Sequence, residues 1–252
     1  MRVLSLDTTT RAGSIALVAD GRVVEERRGD PLRTHAERLP GEMLALLAAH
    51  ALTLAAIDVF AVASGPGSFT GLRIGLATMQ GAAFVQRRPV VGVSALSALA
   101  QIGSAEARPG DLVAAWMDAH RREVFSALFR VGAGDLFEPA HLVEIEPPMV
   151  DDPLSTLQRW QPHLAGKTTT FHGDGAVMYA EAIDQTSPQP HRTVHDVPLL
   201  AGAIGRMASV LAATGTPYDA GRVQAVYVRR PDAEIERDRK ALSTLDTTDT
   251  KG

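Results

Sequence analysis

Residues 61–76 read AVASGPGSFTGLRIGL, an apolar run that breaks into glycines at 65, 67, 71 and 75. The apolar part, DVFAVAS (58–64), reads as a buried strand, Gly-Pro-Gly as a turn, and TGLRIGLATMQGAAFV (70–85) as a helix. Two explanations of the glycines compete. The turn and the helix start could cradle a phosphate. Alternatively, Gly71 and Gly75, one helical turn apart, leave a face without side chains so that another element can approach closely.

Motif chemistry weakens the phosphate reading. GPGSFTGL lacks the Gly-Lys-Ser/Thr ending that would put a lysine on the β- and γ-phosphates. The dinucleotide-binding spacing is nearly met by Gly65, Gly67 and, one residue late, Gly71, but without a suitably arranged first strand and ribose-binding acid. A nucleophile elbow fails at Ser68, where the order is P-G-S-F-T. An interior helix glycine costs about 1 kcal/mol relative to alanine, so close packing must offset it. The packing element lies within the chain or in another subunit.

Outward from this stretch, VLSLD (3–7) is a short buried strand, and SIALVAD and RVVEERR flank Asp20-Gly21, a strong two-residue hairpin signal. Residues 34–49 form a helix with a Thr34/Glu37 capping box and an apolar face of Leu39, Met43, Leu46 and Leu47. Pro40 kinks that helix or marks its true start. PVVGV (89–93) is a strand and SALSALAQI (94–102) a helix. This order gives an α/β layer architecture with a mixed sheet and helical crossovers.

ARPGD (107–111) is the best boundary. Beyond it, LVAAWMDA (112–119), EVFSALFRV (123–131) and HLVEIEPPMV (141–150) read as strands, and Pro153 opens a helix. TTTFHGDGA (168–176) is strand, turn and then helix through Ile183; residues 199–213 are a small-residue helix; VQAVYVRRP (223–231) is a last extended segment. The expected organisation is a first lobe, 1–107, and a second, 108–231, whose late helix packs back on the first. A disordered tail, 232–252, follows, with few apolar anchors.

Of the 252 residues, 45% are apolar, the net charge is −4, and cysteine is absent. This excludes disulfides, a thiolate nucleophile and a strongly basic autonomous nucleic-acid binder. The start, MRVLSLD, lacks a signal-peptide core, and Asp58, Ser64 and glycines interrupt the longest apolar stretches. A soluble cytoplasmic protein without membrane contact is the expectation.

Two segments could carry chemistry. Asp7 ends a strand and is followed by Thr8, Thr9 and Thr10. The carboxylate could hold hydrated Mg²⁺ and the hydroxyls a phosphate; equally, they could simply close a turn. Gly173-Asp174-Gly175, between strand and helix, could let a nucleotide approach the backbone or serve an ordinary turn. Together they point to a cleft between lobes. His191 and His195 lie in loop and strand, which does not bring them onto one face. His35 has Leu39 four residues on, where a second imidazole would be needed to clamp a metal.

Four stretches carry a family resemblance: LSLDTTTRAGSIAL near the start, THAERL (34–39), SGPGSFTGLRIG (64–75) and VYVRRPDAE near 226–234. Over about residues 1–234 the chain resembles the bacterial YeaZ-like dimerization subunit of the complex that makes tRNA threonylcarbamoyladenosine, a relative of the subunit that transfers the threonylcarbamoyl group. The resemblance implies a two-lobed actin/Hsp70-like fold with ribonuclease-H-like mixed sheets. Asp7, Thr8 and Thr9 then look like a degenerate phosphate motif and Gly173, Asp174 and Gly175 like an adenosine-side motif, so ATP or ADP with Mg at an inter-subunit site is the cofactor expectation.

The catalytic relative's metal-binding helix carries two histidines separated by three residues; here His35 has Leu39 in the equivalent slot, so neither a resident metal nor catalytic residues are expected. The partner interface implied is His35, Leu39, Gly67, Phe69, Thr70, Gly71, Arg73, Gly75 and Thr78. The implied partners are the transferase subunit TsaD, the small ATPase subunit TsaE, a second copy when alone, and tRNA through the complex. The resemblance thus implies a scaffold that is not an enzyme by itself. The competing reading is a nucleotide hydrolase or kinase of the same fold using Asp7 and Asp174.

Overall fold

The computed structural model describes residues 1–187, 190–215 and 223–229; the expected tail, 232–252, lies outside them. Among the described residues, ten strands form two sheets of five. The first contains β1 (Arg2–Asp7), β2 (Ser14–Ala19), β3 (Arg22–Arg28), β4 (Val59–Gly65) and β5 (Val90–Ser94), in the order β3-β2-β1-β4-β5. The second contains β6 (Leu112–Asp118), β7 (Val124–Val131), β8 (Leu142–Asp151), β9 (Thr169–His172) and β10 (His191–Val194), in the order β10-β9-β6-β7-β8.

The two sheets have the same topology. In each, three strands run as an antiparallel meander, and two later strands add in parallel beside the first. This correspondence pairs the end of β1, Asp7, with the end of β6, Asp118, and the glycine turn after β4 with His172-Gly173 after β9. The result is the two-lobed actin/Hsp70-like α/β fold. In such sheets ligands meet the carboxyl ends of parallel strands, and both of these turns sit there.

Local chemistry explains the elements. Asp20 and Gly21 have φ of 48° and 73°, the positive pair that a two-residue hairpin needs. Helix α1 (His35–Ala49) carries the complete Thr34/Glu37 capping box and runs through Pro40, which therefore does not mark its start. Helix α2 (Phe69–Gln86) is capped by Ser68, whose hydroxyl accepts from the Gly71 N–H, and it ends on Arg87 in the left-handed region. The remaining helices are α3 (Ala95–Gly103), α4 (Pro153–Leu164), α5 (Asp174–Met178), α6 (Ala180–Thr186) and α7 (Ala201–Ala213). The helix expected to run through Ile183 is broken at Tyr179 into α5 and α6.

Strand alternation divides the core. Leu4, Leu6, Phe60 and Val62 face α1 and α2, burying Leu39, Leu46, Leu76 and Met79. Val3, Ala61 and Val91 on the other face share one continuous cluster with Val113, Phe125 and Phe129 of the second sheet, through α3 and α7. A third cluster sits behind the second sheet, where Trp116 meets Trp160 edge-on at 6.0 Å. Helix α7 lies against β1, β2 and β4; the Ser5 hydroxyl donates to the Ala201 carbonyl at 2.6 Å. The lobes are thus joined at the back by α3 and α7, with a cleft at the front.

Candidate functional site

The cleft between the lobes has a volume of about 970 Å³ and is walled by Thr10, Arg11, Arg33 and Ser68 of the first lobe and Asp118 and Asp174 of the second. A second cavity, of about 50 Å³, is lined by Asp7 and Asp174 together with Thr10 and Arg28. The lobes therefore bring together the two carboxylates picked out from sequence. Burial pushes both above the usual carboxylate range; in Asp7, hydrogen bonds from Thr9 oppose that shift and the charge of Asp174 adds to it. Burial likewise raises Glu26.

The turn after β1 is built as a closed unit. One Asp7 carboxylate oxygen accepts from the Thr9 N–H at 2.9 Å and from the Thr9 hydroxyl at 2.7 Å. The Thr8 hydroxyl is buried without a hydrogen-bond partner. Helix α2 and the turn before it close over these residues. A β-carbon on Gly67 would stand 2.5 Å from the Thr9 β-carbon, one on Gly71 2.2 Å from the Thr8 carbonyl oxygen, and one on Gly75 2.3 Å from the Thr8 hydroxyl.

The glycines flatten the helix for the chain's own β1–β2 turn. Of the two packing elements left open, within the chain or in another subunit, the one beside Gly71 and Gly75 here is within the chain, and both are buried. Leu39 is 1% exposed, in the core beneath α1.

The geometry also tests the nucleotide expectation. Thr9 lines the large cleft, but its hydroxyl donates to Asp7, and the Thr8 hydroxyl lies against Gly75. A β-carbon on Gly173 would meet the Trp116 carbonyl oxygen at 2.1 Å and one on Gly175 the Met117 backbone at 2.9 Å. Their openness is taken up by close packing of α5 on β6, not left for a ligand. Asp174 accepts from the Asp118 and Gly175 N–H groups at 3.0 and 2.9 Å. These residues fit a packed turn better than a phosphate cradle.

His35 is fully engaged. Its Nε2 lies 3.0 Å from the Thr10 carbonyl, where it donates, and its Nδ1 accepts from Arg38 at 2.8 Å. Burial and the neighbouring Arg38 charge lower its pKa, which keeps the ring neutral and braces the cleft-side turn. Thr78 is half-buried, its hydroxyl bonded to the Ile74 carbonyl. Of the expected interface residues, Thr70 and Arg73 are exposed.

Phe69 and Arg73 have a partner that sequence reasoning missed. Tyr227 lies 5.0 Å from the Phe69 ring, and its hydroxyl accepts from Arg73 Nε at 3.1 Å, while the Arg73 guanidinium sits 4.0 Å over Phe69.

The resemblance implies that the helices beginning near Thr34 and Thr70, α1 and α2, pair with another subunit, but the residues on their outward faces were missed. They present Pro40, Gly41, Leu44, Ala45 and Ala48 on one helix and Ala77, Gly81, Phe84 and Val85 on the other. Phe84 is 81% exposed, Val85 73% and Leu44 56%, on two helices packed side by side. The signal was present in the helical period: with 72, 75, 76, 79 and 83 inward, residues 77, 81, 84 and 85 must face out.

The model of the family described as TsaD, tRNA N6-adenosine threonylcarbamoyltransferase, matches residues 31–151. The tRNA threonylcarbamoyladenosine biosynthesis protein TsaB of Escherichia coli K12 is 38% identical over 130 residues, covering 52% of this chain and 55% of that protein. Its namesake from Haemophilus influenzae is 39% identical over 127 residues, covering 50% and 52%. The matched part of the chain spans about half the length of these curated relatives.

Among solved structures, YeaZ from Pseudomonas aeruginosa superposes with a TM-score of 0.72 at 29% identity, covering 90% of this chain and 99% of that one. Another structure, of an uncharacterized protein with similarity to peptidase YeaZ from Pseudomonas aeruginosa, gives 0.72 at 30% identity with the same coverage. A likeness that runs the length of both chains, at that identity and with the two-lobed topology intact, places the chain in the TsaB/YeaZ family.

Proposed function

We propose that the chain is a non-catalytic docking subunit in the formation of N6-threonylcarbamoyladenosine at position 37 of tRNAs that read ANN codons. The observation that carries the reading is the paired outward face of α1 and α2. It combines small residues, which allow close helix approach, with the exposed anchors Leu44, Phe84 and Val85. Such a patch on a folded chain marks an interaction surface. The occupant proposed is TsaD, with a second copy of this chain taking its place when TsaD is absent.

Relatives named for threonylcarbamoyladenosine biosynthesis, and the TsaD family match, support the assignment of pathway and partner class. In this reading TsaE and tRNA join through the complex rather than through this chain alone, in the cytoplasm. No helix among the described residues is long and apolar enough to cross a membrane.

The hydrolase or kinase alternative loses support from the site. The hydroxyl and glycine groups it needs for phosphate are committed to internal packing.

The test is reconstitution. The chain alone leaves tRNA unmodified, and its addition raises modification by the transferase mixture. Modification by the lone chain would overturn the proposal, as would undiminished stimulation by a Phe84→Asp variant that no longer binds TsaD.

A further inference from the structure

Val223–Arg229 belongs to neither sheet, yet it is held at both ends across the front of the molecule. Its beginning grips the first lobe. The Val223 carbonyl accepts from Gln80 Nε2 at 2.9 Å, and the Val223 side chain occupies the space that a β-carbon on Gly92 would need. Val223 and Ala225 pack on the core beneath α2. The Val226 N–H donates to the Ser64 carbonyl at 2.7 Å, and Tyr227 joins the Phe69–Arg73 stack.

Its end grips the second lobe. Val228 packs on the cluster shared by the two sheets. The Arg229 guanidinium donates to the Ala119 carbonyl at 2.7 Å and to the Glu123 carboxylate, and it sits 5.6 Å from the Phe125 ring. These second-lobe contacts are on the β6–β7 hairpin, whose tip, His120, Arg121 and Arg122, has φ of 58°, 54° and 64°. Val226 to Arg229 all line the large cleft.

We propose that residues 223–229 form a clasp that ties the lobes across the mouth of the cleft and controls entry to it. The back of the molecule is closed by α3 and α7, so opening can occur only at the front, where the clasp lies. Its two ends differ in kind. The first-lobe end is held by partly buried apolar contacts and by uncharged hydrogen bonds to Val223 and Val226, which salt screens little. The second-lobe end depends chiefly on Arg229, whose partner Glu123 is more than one-third exposed; such a pair is weakened by salt. The clasp therefore releases at Arg229 and swings on its first-lobe anchor. This also assigns a role to the VYVR stretch, which the docking surface does not explain, and it is independent of what docks on α1 and α2.

The cysteine-free chain gives a direct test. Ala119 lines the cleft under Arg229 and is 2% exposed, whereas Ala100 of α3 is fully buried in the joint at the back. Ala119→Cys and Ala100→Cys each place a single thiol, whose rate of reaction with an aromatic disulfide reagent reports its exposure. Arg229→Ala is expected to accelerate the thiol at 119 roughly tenfold, as loss of a charge-assisted contact shifts the closed–open balance, while the thiol at 100 is unchanged. Tyr227→Ala, which loosens the grip on the first lobe, accelerates the same thiol by a smaller factor. Added salt does so in the unaltered clasp.

Equal acceleration at 100 and 119 would overturn the clasp, since that reports general loosening. So would an effect of Arg229→Ala unaccompanied by any of Tyr227→Ala or salt, which reports local uncovering. Unchanged rates throughout would overturn it as well.

Discussion

Helix α2 has two faces made of the same kinds of residue, and they do opposite things. Inward, Gly71 and Gly75 are buried against the Thr8 backbone and side chain, with no room for a β-carbon. Outward, Gly81 has nothing within 4 Å of where its β-carbon would stand, nor does Gly41 on the neighbouring α1. A glycine in a helix is thus no sign of a subunit interface by itself. The same smooth face can serve a turn of the same chain, and only the filled or empty space beside it tells the two apart.

The largest expected effect comes from filling the inward face. Gly71→Ala puts a β-carbon into a backbone carbonyl, which cannot rotate away, so either α2 or the β1–β2 turn must move. Overpacking of this kind costs typically about 1–3 kcal/mol, and the upper end is expected here, set against about 1 kcal/mol of helix propensity gained. Urea unfolding measures it. A Gly71→Ala variant as stable as the parent would mean that the inward packing is not what the glycine is for.

The outward face should respond in association instead. Phe84→Asp removes an exposed anchor and places a charge where a partner helix would close. A loss of about 2 kcal/mol in binding is the size expected for a central aromatic, with the unfolding midpoint unmoved at concentrations where the chain is monomeric. Sedimentation with TsaD, and of the chain alone, reads it. Association that survives Phe84→Asp would remove the contrast between the faces.

Much of the fold could be read from residue order. The Asp20-Gly21 hairpin, the Thr34/Glu37 capping box and the strand–turn–helix at 58–85 follow from local chemistry that the tertiary structure does not override. The site was less legible because its determinants are not local. Spacing placed Gly71 and Gly75 on one face but could not name Thr8 as the group they meet. Leu39 was read as both core and interface, and burial decides for core. The clasp has no period to detect, since Tyr227 and Arg229 acquire meaning only from Phe69, Ala119 and Glu123, far away in the chain. The shared topology of the two sheets leaves no short sequence repeat because hydrogen-bond order, not side-chain identity, defines it.

A smaller and opposite effect sharpens the contrast. Gly81→Ala meets open space, so helix propensity alone decides, and a gain of about 1 kcal/mol is expected. Measured beside Gly71→Ala on the same helix, it separates propensity from packing. If both substitutions shift the urea midpoint in the same direction, the space beside each glycine is not the deciding factor.

The smallest effect probes the turn that the inward glycines enclose. Asp7 has its pKa raised by burial, so the folded state holds a proton that the unfolded state releases. The stability associated with that proton is fully present below the ordinary aspartate value and is lost as pH rises through the folded value. Asp7→Asn abolishes the titration and keeps an oxygen to accept from Thr9. Relative to the parent, it should therefore gain stability as pH rises from the acid range to neutrality, with the difference shrinking again in acid. Urea midpoints across that range measure it. The opposite trend, an asparagine variant that loses ground towards neutrality, would show that the ionised carboxylate is held by something stronger than Thr9. A cation in the small cavity shared with Asp174 would do this, and the inner end of α2 would then be closing over a binding site rather than over a turn.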